Sequence, residues 1–162
     1  MKLFLARHAD AVEFSEYSDL NDDQRYLSGA GRITERKVAE KVKEHISDLD
    51  MIFTSPLIRA VQTAEIIAAV SGYSSDIIPV QELRNESRTS SLTDLLNRSD
   101  IYSSVMLVGH EPKMSMLVNL LSGALMKESF SKSGICLMES LQDSGQYIFK
   151  WYFGPNKMAY IR

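Results

Sequence analysis

The apolar residues of this chain gather into short continuous runs set between polar stretches. Residues 3–6 (Leu3, Phe4, Leu5, Ala6), 49–53, 77–80 and 104–108 are such runs. Apart from Asp50 and Ser104 they are continuous rather than alternating, as in strands buried on both faces. Between them the period lengthens to that of a helix. Residues 31–46 place Ile33, Val38, Val42 and Ile46 on one face, with Arg, Lys and Glu elsewhere. Pro56 is placed to open a second helix that runs to about residue 70, with Gly72 as its stop. Residues 81–91 are polar and irregular, and residues 92–96 predict one or two helical turns. Met114, Leu117, Val118, Leu120 and Leu121 predict a further helix, with Gly123 beyond its end. Residues 135–141 and 147–153 read as two more strands, and Asp143-Ser144-Gly145 between them is hairpin turn chemistry. Residues 11–28 are polar and acidic, a long loop of the functional or mobile kind, closed by Gly29 and Gly31. The alternation of strand and helix predicts a single α/β domain over residues 1–162, a layered sheet with helices on its faces. No repeat, low-complexity tract or linker divides it.

Composition narrows the class of ligand. At 162 residues the chain is long enough for a substantial core. The net charge of -3 carries no basic surplus for nucleic acid or an anionic membrane surface. An anion site must therefore be locally positive within a mildly acidic protein. The single cysteine, Cys136, excludes an internal disulfide and a multi-cysteine metal site, and its apolar neighbours point to a packed thiol. The chain opens on a strand rather than a charged leader with an apolar core, and no apolar stretch is long enough to span a bilayer. The expected location is the cytoplasm.

Candidate chemistry lies where three of the apolar runs end. The first runs into Arg7-His8. The second runs into Ser55-Pro56, with Arg59 in the first turn of the helix that follows. The run at 104–108 leads to His110, just before Pro112. Singly, each has a plain explanation: a strand end meeting water, a solvated charge, a structural histidine. If the strands are parallel neighbours, however, two arginines, two histidines and two helix N-termini converge on one sheet edge. Ligands of open α/β sheets bind beyond the carboxyl ends of the strands. Arginine offers a forked, permanent cation, helix N-termini attract anions, and an imidazole that is neutral near pH 7 can act as a nucleophile. That convergence suits a phosphate or similar oxyanion. Two histidines without a carboxylate at ligand spacing make a poor zinc site, and neither a Walker loop nor a dinucleotide glycine pattern is present.

The segments Leu5-Ala6-Arg7-His8-Ala9, Thr54-Ser55-Pro56-Leu57-Ile58-Arg59-Ala60-Val61-Gln62-Thr63 and Val108-Gly109-His110-Glu111-Pro112 resemble the histidine phosphatase superfamily, also called phosphoglycerate mutase-like. Arg25-Tyr26-Leu27-Ser28 followed by Gly31 matches the segment before that family's first helix. The compact size, Ala9 after the histidine, and the ending Trp151 through Pro155-Asn156-Lys157-Met158 are most similar to the SixA-type phosphohistidine phosphatases. The resemblance implies a three-layer sandwich with a mostly parallel central sheet and helices on both faces.

It also implies roles. His8 would take the phosphoryl group, while Arg7, Arg59 and a protonated His110 would hold its oxygens. No metal or other cofactor is implied, because the arginines supply the charge. In larger members an acid protonates the leaving group. The matching stretch here is Glu82-Leu83-Arg84-Asn85-Glu86, with Asn85 where that acid falls. Glu82 and Glu86 flank it and are the candidate proton donors. The expected substrate is phosphohistidine in a protein, such as a histidine-containing phosphotransfer domain. The alternatives are a small phosphorylated metabolite, or a phosphate-binding module without turnover.

Overall fold

The computed structural model describes residues 1–13, 21–123, 129–141, 145–156 and 160–161. Seven strands form one sheet: β1 (Lys2–Arg7), β2 (Met51–Thr54), β3 (Ile77–Pro79), β4 (Ser104–Gly109), β5 (Ile135–Ser140), β6 (Tyr147–Phe153) and β7 (Tyr160–Ile161). Their order is β3-β2-β4-β1-β5-β6-β7. The first four in that order are parallel, and β5, β6 and β7 complete the sheet antiparallel. Four helices cover it: α1 (Gly29–Ile46), α2 (Ile58–Ser71), α3 (Thr89–Arg98) and α4 (Lys113–Ser122).

The unbroken apolar strands follow from this layering. Phe4 and Ala6 of β1 face a core with α1 and α2, together with Ile52, Met106 and Val108. Leu3 and Leu5 face the opposite core with α3 and α4, together with Val105 and Leu107. Each fully buried aliphatic or aromatic side chain contributes on the order of 1.5–3 kcal/mol, so a polar residue on either face of β1 or β4 would be costly. The result is a three-layer sandwich.

Several elements differ from the sequence expectation, for local reasons. Helix α1 starts at Gly29, because the Ser28 side chain accepts from Gly31 N and caps it. Its buried face is Gly31, Glu35, Val38, Ala39, Val42 and Ile46, whereas Ile33 is exposed. Val38 is five positions on from Ile33, and at about 100° per residue that turns Ile33 well away from the face. Pro56 lies outside α2, whose N-cap is Leu57. Strand β2 begins at Met51 rather than residue 49, after Asp50 has bonded the backbone of Ser103 and Ser104. Helix α3 is longer than one or two turns, since Leu92, Leu95 and Leu96 give it a buried stripe. Gly72 and Gly123 end α2 and α4 in the left-handed conformation. The interior of the 11–28 loop (residues 14–20), the hairpin residues 142–144 and part of the C-terminal motif (residues 157–159) lie outside the described residues.

The end of β1 is fastened to the start of α1. Ser28 N donates to Asp10 O at 3.0 Å, and Ser28 Oγ reaches Asp10 Oδ2 at 2.8 Å. A Cβ on Gly31 would lie 2.0 Å from the Asp10 carbonyl oxygen. Backbone is on both sides of that contact, so neither can yield cheaply. Gly31→Ala is expected to cost about 1–3 kcal/mol through this overpacking, measured as a lower urea midpoint with unchanged slope.

Candidate active site

Strands β2, β4 and β1 are adjacent and parallel, and their registers pair Thr54 with Val108 and Arg7 with Gly109. Their carboxyl ends therefore lie side by side. His8 N bonds Gly109 O at 3.0 Å and Ser55 N bonds Val108 O at 2.9 Å, so both residues follow the last rung of the sheet. His110 follows Gly109 in the same way.

His8 and His110 meet there, with ring centroids 4.9 Å apart. His8 Nδ1 lies 2.7 Å from Ala9 O. A carbonyl only accepts, so Nδ1 carries the hydrogen and Nε2 keeps its lone pair. The Thr63 hydroxyl accepts from Ala9 N and donates to Arg59 O, which ties the residue after His8 to the first turns of α2. Burial, with Arg59, Arg7 and Lys132 adding repulsion, lowers the His8 pKa to about 4 against the opposing bond to Ala9. The ring is neutral and nucleophilic at pH 7.

His110 departs from the sequence expectation. Burial first, then coupling to the neighbouring His8 and the positive charges of Arg59 and Arg7, bring its pKa to about 3, with Asp22 opposing. It is neutral in the free protein rather than protonated. Its Nε2 lies 2.8 Å from Ser55 Oγ, and Ser55 Oγ accepts from Leu57 N at 3.5 Å. The serine hydrogen is then available to Nε2, leaving His110 Nδ1 as a donor with no protein acceptor among the described residues.

The two arginines are held differently. Arg7 Nη1 donates to Phe130 O at 2.5 Å, and Arg7 Nε is buried without a partner among the described residues. Phe130 N in turn donates to Glu111 Oε1 at 3.2 Å, so the residue after His110 helps to place the carbonyl that orients Arg7. Arg59, almost wholly buried, donates from Nη1 to Asp22 O at 2.6 Å and from Nη2 to Asp22 Oδ2 at 2.9 Å. The positive ends of Arg7 Nε and His110 Nδ1 are what an oxyanion would satisfy.

The candidate proton donors are engaged with other partners. Glu82 pairs with Arg98 at 2.9 Å, and exposed Glu86 pairs with Arg84 at 3.4 Å. Asn85 Nδ2 donates to Glu111 O at 3.1 Å. The buried Lys113 at the start of α4 holds this loop by donating to the carbonyls of Glu82, Arg84 and Ser87. Among the described residues, no group of three or more His, Cys, Asp or Glu could hold a metal ion. No helix among them is long and apolar enough to cross a membrane. Cys136 is fully buried and its pKa raised by that burial.

Ser55, Asp22, Lys113 and the Phe130 carbonyl had no assigned role in the sequence. Ser55 could have been found, since it stands one residue past β2 as His8 and His110 stand past β1 and β4. Asp22 sits in a polar loop whose spacing singles out no residue.

Residues 3–88 match the family model of the histidine phosphatase superfamily (branch 1). The chain belongs to the histidine phosphatase superfamily. The phosphohistidine phosphatase SixA of Escherichia coli is 26% identical over 158 residues, 96% of this chain and 94% of that protein. An uncharacterized protein of Picosynechococcus is 38% identical over 69 residues, only 43% of this chain and 41% of that protein. The structure of the protein histidine phosphatase SixA complexed with tungstate superposes with a TM-score of 0.86 at 25% identity, covering 98% of this chain and 100% of that one. In class the chain is a phosphatase of this superfamily, with the superfamily's phosphoglycerate mutase-like fold.

Proposed function

We propose that this phosphatase works through a covalent phosphohistidine on His8, without a metal, and that its substrate is phosphohistidine in a protein, such as a histidine-containing phosphotransfer domain. The observation that carries the reading is the His8 tautomer. Its Nδ1–H is fixed on Ala9 O, and Nε2 stays unprotonated beside two arginines. His8 Nε2 attacks phosphorus while the bond to the substrate nitrogen breaks, and that electron pair returns to the leaving imidazole. Water then attacks that phosphorus while the P–Nε2 bond breaks; the electron pair returns to His8 Nε2, the water's proton passes to a phosphate oxygen, and phosphate leaves. Arg7 and Arg59 stabilise the charge on the transferring oxygens, which is most of what phosphoryl transfer asks of a protein. Entry of the phosphate dianion favours a proton on His110, opposing the effect of the arginines.

The leaving-group side supports a phosphoramidate over an alkyl ester. The conjugate acid of imidazole has a pKa of about 6.5, so imidazole departs with little help. An alkoxide needs a strong acid. Asn85 is not one, and Glu82 and Glu86 are paired with Arg98 and Arg84. The similarity to SixA, which is named a phosphohistidine phosphatase, points the same way.

A phosphohistidine peptide is expected to exceed a phosphoserine peptide and a sugar phosphate by about a hundredfold in kcat/KM, the scale of a missing general acid. The Glu82→Gln and Glu86→Gln variants should leave the ratio unchanged. Comparable rates on alkyl esters, lost in one of these variants, would instead identify an acid and favour a metabolite phosphatase. Absence of turnover on every substrate would leave a phosphate-binding module.

A further inference from the structure

We propose that Asp22 determines specificity by occupying the Arg59 fork in the free protein, so that a phosphoryl group binds by exchanging with its carboxylate. The proposal rests on the reading above, in which Arg59 holds the phosphoryl oxygens. Both terminal nitrogens of Arg59 donate to Asp22: one to its carbonyl, one to its carboxylate. The two partners differ in exposure, with the Arg59 side chain 7% exposed and that of Asp22 58%. A buried guanidinium needs an anion beside it, whereas an exposed carboxylate can return to water. That asymmetry is what an exchangeable occupant requires.

The short turn that carries Asp22 has its own anchors. Asn21 and Gln24 bond each other reciprocally through side chain and backbone. Asp23 pairs with Arg84 on the loop after β3. Arg25 reaches both Val12 O and Asp22 Oδ1. The turn therefore remains in place when Asp22 Oδ2 gives up Arg59. Its carboxylate stays beside the bound phosphoryl group and repels any second anionic group on the substrate. A phosphoryl group on a neutral imidazole carries none. Phosphorylated carboxylic acids and bisphosphates do, and Asp22 disfavours them.

The test uses the whole protein and inorganic phosphate as the probe, titrated by calorimetry. Asp22→Ala is expected to bind phosphate about tenfold more tightly than wild type, the scale of one charge-assisted hydrogen bond, with Asp22→Asn between them. On phenyl phosphate and carboxyphenyl phosphate, Asp22→Ala should lower KM for the carboxylated ring more than for the plain one. Phosphate affinity in Asp22→Ala equal to or weaker than wild type would overturn the proposal and reduce Asp22 to a residue that orients Arg59. Phosphate binding by neither protein would overturn both this proposal and the phosphatase site. Tighter phosphate binding in Asp22→Ala, with no turnover of a phosphohistidine peptide by wild type, would uphold Asp22 and overturn the substrate assignment alone.

Discussion

His8→Ala is expected to fold as wild type does and to lose turnover by roughly four orders of magnitude or more, as when a nucleophile that acts with its neighbours as a unit is removed. The backbone bond from residue 8 to Gly109 O does not depend on the side chain, so the sheet edge survives the change. What is lost is Nε2, the imidazole nitrogen whose lone pair the bond from Nδ1 to Ala9 O leaves free. His110 does not replace it, because its Nε2 is engaged with Ser55 and its Nδ1 then carries the hydrogen. Wild-type protein quenched during turnover should carry phosphate that is stable to base and labile to acid, mapped by mass spectrometry to His8. Retention of activity within tenfold in His8→Ala, or phosphate mapped elsewhere, would remove His8 from the nucleophile's role.

The second large effect concerns stability and pH. Glu35 lies on the buried face of α1, fully inaccessible, with neither carboxyl oxygen hydrogen-bonded among the described residues. The Ser133 hydroxyl faces it without completing a bond and opposes the effect of burial only in part. Burial raises the Glu35 pKa from 4.5 to about 8. The folded protein thus holds a proton there that the unfolded chain releases above about 4.5. Its contribution is fully present below pH 4.5 and is lost progressively as pH rises to 8, after which it is flat. The difference between 8 and 4.5, at about 1.4 kcal/mol per unit, bounds the loss at roughly 5 kcal/mol. Urea unfolding at pH 5, 7 and 9 should show wild type weakening across this window. Glu35→Gln should be nearly flat and several kcal/mol more stable than wild type at pH 9. Parallel profiles for the two proteins would mean that Glu35 is ionised and solvated in the fold. Ser133 N also bonds His8 O, at 3.3 Å, so this carboxyl lies one residue behind the proposed nucleophile.

Much of this architecture was legible along the chain because it follows from short-range patterning. The unbroken runs that became β1 and β4 have cores on both faces, and the residues just past them are His8 and His110. The anomaly of Glu35 was legible too, since it falls in the series Gly31, Glu35, Val38, Val42, Ile46 at helical spacing. Ile33 drew attention away from it by being apolar in the wrong place. The hold of Asp22 on Arg59 spans 37 residues and depends on how a loop folds back over α2. The three carbonyls around Lys113 are backbone atoms, identical at every position of the sequence. Nothing in residue type announces either arrangement. The charge of His110 in the free protein was not legible for a related reason: it depends first on burial and then on nearby cations, and only the fold brings these together.

The position of β1 in the middle of the sheet has a consequence for synthesis. Its two neighbours are β4 and β5, so its rungs join residues 2–7 to 104–109 and 135–139. Once made, β1 has neither of its sheet neighbours until about a hundred further residues have followed it. Contacts so distant in sequence carry the loop-closure cost that slows folding. Until then an apolar strand waits with both edges open, exposed to pairing with another chain. Of the proposed catalytic group only His110 is made after β4, and no fragment ending before it can contain the whole site.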